Sequence, residues 1–163
     1  MPVTLWVCEN GILRQSGKQF HGCLWDEVSD FQVDQQYRLP RFRIRIRDQD
    51  AEFGTGRNPA ILPIMEYIET KLSAAQFLPE LKHIFEGECV AFGQVALDRA
   101  GFRGLRFFAY WSEIERVVSD PEFMFVIRRG QADWDKVRYG EVSFPALVLA
   151  ISHVMIEEEK HLS

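Results

Sequence analysis

Five arginines crowd one short stretch of the chain: Arg38, then Arg41, Arg43, Arg45 and Arg47 at every second position, with no acidic residue from 38 to 47. Alternate side chains of a strand point the same way, so the run Arg41-Phe42-Arg43-Ile44-Arg45-Ile46-Arg47 puts arginines on one face and Phe42, Ile44 and Ile46 on the other. Guanidinium forks recognise carboxylates and phosphates bidentately. Arg38, Arg41, Arg43, Arg45 and Arg47 are therefore the expected binding residues for an anionic ligand or protein partner. The competing expectation is a solvated face balanced by Asp26, Asp30, Asp34, Asp48 and Asp50 on neighbouring strands. Repeated positive charge also guards a strand against edge pairing.

Other reactive groups form weaker patterns. His21-Gly22-Cys23 places a histidine and a thiol on one strand face, which suits a nucleophile pair or half a metal site. Zinc needs four ligands, and no second pair follows at suitable spacing. Glu27 and Glu113 resemble paired carboxylates, but acid–base partners need unlike environments, and these two occupy like ones, so a turn or capping hydrogen bond is expected. His83, His153 and His161 are scattered. Gly54-Thr55-Gly56-Arg57 lacks the Lys-Ser/Thr ending of a phosphate loop, and no nucleophile-elbow, HExxH or dinucleotide motif occurs. The expectation is a non-enzymatic chain with no catalytic residue, cofactor or metal. The alternative is a small hydrolase or transferase with a pocket between two halves, using His21 and Cys23.

Two halves are suggested by repetition. Trp25-Asp26-Glu27-Val28 and Trp111-Ser112-Glu113-Ile114 share a Trp-x-Glu-aliphatic signature 86 positions apart, and Pro59-Ala60 and Pro145-Ala146 each follow their Trp by 34 residues. Gly11 and Gly101 align at an offset of 90. That difference implies four extra residues in the first copy between its Gly and its Trp, in a hairpin loop such as Ser16 to Lys18. The identical placement of both tryptophans favours core positions.

The elements that would position these residues follow from periodicity and turn chemistry. Leu5 to Cys8, Ile12 to Gln15, Phe20 to Leu24 and a segment from Glu27 to Val33 read as a meander of short strands, with Asn10-Gly11 a hairpin turn. Asn58 as N-cap and Pro59 at the first helical position start a helix to about Leu72 with a stripe of Ile61, Ile64, Met65, Ile68 and Leu72. Ser73-Ala74-Ala75-Gln76 reads as a connector to a second helix, Leu78 to Glu86, stopped by Gly87. Strands then resume at Cys89 to Phe92, Gln94 to Asp98, Ile114 to Val118, Phe123 to Ile127 (read as buried on both faces) and Trp134 to Tyr139. Ser143 is the expected cap of a last helix carrying Phe144, Leu147, Val148, Ile151, Val154 and Met155, which should fray at Glu157-Glu158-Glu159. The division is residues 1–75 as a first unit, 76–88 as a helical connector and 89–163 as a second unit.

Bulk properties bound the class. A chain of 163 residues with 47% hydrophobic content builds a core. A net charge of −5 argues against a surface that tracks nucleic-acid phosphates. Three cysteines without CxxC spacing fit reduced thiols, and no basic region precedes an apolar core at Met1 to Trp6, so the expected location is cytoplasmic. The longest apolar run, Phe144 to Ile156, is too short to span a bilayer. Peripheral contact with anionic lipids and self-association through free sheet edges remain open.

A strand meander closed by a C-terminal helix, with a Trp-x-Glu-aliphatic strand start and a Pro-Ala-aliphatic helix start, resembles the pleckstrin-homology-like (PH-like) folds of bacterial proteins, in particular an uncharacterised bacterial family of tandem PH-like sequences. Gly11, Trp25, Glu27, Val28, Asn58, Pro59 and Ala60 carry it in the first copy, and Gly101, Trp111, Glu113, Ile114, Pro145 and Ala146 in the second. The resemblance implies an α+β fold of two PH-like units, each an antiparallel meander or partly open β-barrel closed by an amphipathic helix. It further implies a binding or scaffold module without a family-wide catalytic site, and it supplies no functional residues.

Overall fold

The computed structural model describes residues 3–34, 40–54 and 60–162. Arg38, Asn58 and Pro59 lie outside them, as does the expected helix cap. The described chain is a mixed α+β fold of four small antiparallel sheets and two long helices. No barrel closes among the described residues.

Two runs of strands, each passing through a 3-10 turn at a Trp-x-Glu stretch, are each followed by a long helix. β1 (Val3–Val7), β2 (Gly11–Ser16) and β3 (Gln19–Leu24) form one sheet, a 3-10 turn at Trp25–Glu27 ends it, and β4 (Asp30–Asp34), β5 (Arg41–Ile46) and β6 (Gln49–Gly54) form the next. Helix α1 (Ile61–Phe85) follows. Beyond it, β7 (Val90–Phe92), β8 (Val95–Leu97), β9 (Gly101–Arg103) and β10 (Phe108–Tyr110) make a four-stranded sheet ordered 10-9-8-7. A second 3-10 turn at Trp111–Glu113 leads to β11 (Ile114–Ser119), β12 (Phe123–Arg128) and β13 (Asp135–Arg138), then to α2 (Pro145–Leu162).

The two Trp-x-Glu stretches make similar contacts, the two indoles bonding carbonyls one position apart in the preceding turn. The Trp25 indole donates to the Glu9 carbonyl at 3.0 Å and Trp111 to the Asp98 carbonyl at 2.9 Å, in each case reaching back to the turn before the Gly-led strand. Glu27 accepts the Leu24 N–H at 2.8 Å and Glu113 the Tyr110 N–H at 3.2 Å, so both carboxylates cap their 3-10 turns as expected. Burying an indole removes about 150–250 Å² from water, roughly 4–6 kcal/mol at ~25 cal/mol per Å², against about 1 kcal/mol net for its hydrogen bond. Burial therefore holds the turn, and the N–H sets its orientation. Trp111 is 1% exposed and Trp25 5%.

Gly11 and Gly101 follow from the same geometry. A Cβ on Gly11 would sit 2.2 Å from the Cys23 carbonyl oxygen, and one on Gly101 2.1 Å from that of Ala109. Each strand thus presses backbone to backbone against the strand that ends at the tryptophan.

Helix α1 departs from the expected break. Residues 73–76 continue one 25-residue helix, because Ala74 and Ala75 favour helix and the buried positions Met65, Ile68, Leu72 and Gln76 keep helical spacing through the supposed connector. Gln76 looks like a loop residue but is buried, its amide donating to the carbonyls of Trp25 at 3.2 Å and Val28 at 3.0 Å. Pro79 is also inside the helix. The helix packing on the sheet outweighs the one amide bond a proline removes.

Three further expectations change. Ser143 does not cap α2: its hydroxyl accepts from Gln32 at 3.4 Å, while the first-turn amide of Ala146 donates to Glu69 of α1 at 3.2 Å. Helix α2 runs through the three glutamates to Leu162, with Lys160 bonded to Glu157 at 2.6 Å. Strand β12 buries Met124 and Val126 completely on one side, while on the other Ile127 is buried and Phe123 and Phe125 are partly open. One hydrophobic cluster, from Ile12 to Ile156, runs through both halves, and the Phe144 N–H donates to the Phe31 carbonyl across them at 2.7 Å.

Gly11→Ala and Gly101→Ala should each cost about 1–3 kcal/mol, the range for forcing atoms into a packed site. Urea unfolding checks this, and a loss confined to one of the two would mean that the two turns are not held alike.

Candidate functional site

The arginine strand lies in the middle of its sheet, flanked by acids. Antiparallel register sets Asp30, Arg45 and Asp50 in one row, Gln32, Arg43 and Glu52 in the next, and Asp34, Arg41 and Gly54 in the third, all on one face. Arg45 makes a two-pronged bond to Asp50, at 2.7 and 3.2 Å, which holds that carboxyl below its ordinary value. Arg43 bonds Gln32 and lies 3.8 Å from Asp30, and Arg41 lies 3.6 Å from Glu52. The face therefore carries four carboxylates (Asp30, Asp34, Asp50 and Glu52) against three guanidiniums. Cross-strand pairing explains the alternation.

Of the five expected anion-binding residues, the structure brings Arg41, Arg43 and Arg45 together. Arg47 leaves the row because β5 ends at Ile46, and Arg47 and Asp48 form the hairpin turn at φ 47° and 62°. Its side chain lines a different depression, with Cys23, Leu24 and Glu27. A cavity of about 260 Å³ at the end of the arginine face is lined by Gln32, Asp34, Arg41, Arg43, Glu52 and Gly140. Its charges are mixed.

The candidate reactive thiol is quenched. Burial first, and then the neighbouring Glu27 carboxylate, push the Cys23 pKa up to about 11. A thiol at that value is almost wholly protonated at neutral pH and a poor nucleophile. Among the described residues one surface group, His83, Glu86 and Glu88 at the end of α1, gathers metal-type ligand atoms within 4.8 Å. All three are exposed, and His83 already contacts Glu88 at 3.2 Å.

A second candidate surface was missed by the sequence reading. A cavity of about 290 Å³ lies beside β1, lined by Val3, Leu5, Val7, Phe42, Phe53, Ile61 and Ile64 together with Thr4. Phe42 and Phe53 stack at 5.2 Å on its wall. On the opposite face of the same sheet Trp6, Phe20 and Leu24 are each more than half exposed. The signal was present as apolar residues at both alternating sets of β1, Val3-Thr4-Leu5-Trp6-Val7, a pattern that marks no single buried face.

The half-buried Glu69 joins the helices, accepting from the Tyr139 hydroxyl at 3.5 Å and from Ala146. Burial raises its pKa above the ordinary value, the two donors opposing the shift in part. No helix among the described residues is long and apolar enough to cross a membrane. A scan against protein-family models finds no match to this chain, and a search of curated proteins finds no relative.

Two outcomes follow. Cys8 and Cys89, both exposed, should react with a thiol reagent at pH 8 in the folded protein, and Cys23 only on unfolding; rapid labelling of Cys23 would restore the reactive-pair reading. A raised acid pKa gives stability that is full at low pH and is lost as pH rises through the folded value. Glu69→Gln should therefore gain on the wild type in unfolding free energy as pH rises above the ordinary glutamate value of about 4.3, and a difference independent of pH would refute the buried charge.

Proposed function

We propose that this chain is a non-enzymatic protein-interaction module, a tandem of two PH-like units whose first unit carries the binding surface. The observation that carries the reading is the apolar cavity beside β1. Its walls are chiefly aliphatic and aromatic side chains of β1, β5, β6 and α1, from the buried Phe42 to the exposed Ile64, a kind of surface that marks an interaction site more often than an idle one. The repeated order of meander, Trp-x-Glu turn, meander and helix supports the tandem reading.

The arginine face is the lesser surface. Its guanidiniums already have carboxylate or amide partners in their own sheet, so an anionic ligand would have to break those pairs before it gained its own.

A photo-crosslinking amino acid placed at Ile64, on the cavity wall and 42% exposed, should capture a protein in living cells, and the same residue at Arg45 should capture much less. Dominant capture at Arg45 would move the site to the arginine face. Capture of no protein at either position would refute the interaction-module reading.

A further inference from the structure

Among the described residues, strand β1 is the outer strand of its sheet, whereas its counterpart has a partner on both sides. Strand β8 stands to β9, β10 and Trp111 as β1 stands to β2, β3 and Trp25, and the correspondence extends to the turn: Cys8 N–H donates to the Gly11 carbonyl, and Asp98 N–H to that of Gly101. On its far side β8 pairs with β7, Val90 opposite Leu97 and Phe92 opposite Val95. Among the described residues no strand pairs with the far side of β1.

The backbone direction on that edge is determined. Bonds alternate along an antiparallel pair, so Cys8, bonded to Gly11, puts Trp6 and Thr4 toward β2 as well. Leu5 and Val7 then turn their N–H and C=O groups outward. Their counterparts are Val95 and Leu97, the two residues opposite β7. The side chains agree: Val95 and Leu97 are 1% and 0% exposed, whereas Leu5 and Val7 are only partly buried and line the open cavity. The edge carries no charge, proline or bulge in Val3–Val7, the devices that keep such edges unpaired.

We infer that β1 accepts an extended segment of a partner protein as a fourth strand, with apolar side chains at alternate positions entering the cavity beside Val7, Phe53 and Ile64. This rests on the interaction-module reading and names the partner's form. The strand that fills the equivalent place, Val90-Ala91-Phe92, has that pattern, with Phe92 buried and Ala91 exposed. Main-chain bonds would supply register, and the apolar cavity would select side chains.

Random heptapeptides displayed on phage, selected on the full chain and then synthesised, test this. The enriched peptides should alternate apolar with other residues and slow hydrogen exchange at the Leu5 and Val7 amides at least tenfold. Val7→Pro removes one outward N–H at an edge position that tolerates proline, and Ile64→Asp alters only the cavity wall. Each should weaken binding at least tenfold, and if Val7→Pro fails to fold, Ile64→Asp and the exchange data decide. Enriched peptides that protect other amides would overturn strand addition while leaving the interaction module standing. A failure to enrich any peptide would also overturn it. Protection of Leu5 and Val7 without peptide, in a chain that sediments as a dimer, would replace the partner segment with a second copy.

Discussion

The fold depends on a tryptophan folded back against the turn that precedes it. In each half the indole donates to a carbonyl at the turn before the glycine, and the strand leaving that turn begins with a residue lacking a side chain. Gly11 and Gly101 lie there against the backbone of Cys23 and Ala109. The glutamate two positions after each tryptophan then closes the 3-10 turn that redirects the chain from one sheet to the next. Turn, glycine, tryptophan and glutamate form one local unit at the passage from one sheet to the next.

The helices make a single body of the two meanders. Helix α1 reaches back to the first Trp turn through Gln76 and forward to α2 through Glu69, which takes the place of a local cap at Ala146. Both polar groups lie on the side of α1 that faces the core, where an unsatisfied amide or carboxyl costs more than an exposed one gains. Supplying the acceptor for one helix from the other ties the packing of the halves to the start of α2. The positive φ of Phe144 and its bond to Phe31 lie at the same junction.

The arginine run illustrates how strand pairing changes the meaning of a charge pattern. Along the chain it is the most basic stretch of an acidic protein; within the sheet it is the central row between two acidic rows. The apolar edge of β1 is the reverse case. Its residues are unremarkable in order, yet among the described residues the strand that would cover them accompanies β8 and not β1. A surface of this kind is recognised by comparing the two halves, since neither its composition nor its charge singles it out.

Local chemistry made much of this legible beforehand. The strand of β5, the buried tryptophans, the capping role of Glu27 and Glu113 and the apolar stripe of α2 all rest on periodicity or on contacts within a few residues, and these the sequence by itself determined; Gly11 by contrast opens β2 without a positive φ, its role set by the backbone of Cys23. The continuity of α1, the cap of α2, the pairing of the arginine face with carboxylates, the raised pKa of Cys23 and the cavity beside β1 were decided by the tertiary structure alone. Each depends on which residues distant in the chain come within hydrogen-bonding or Coulomb range, and pairing across strands and helices sets that range, where the spacing of residue types in one dimension does not.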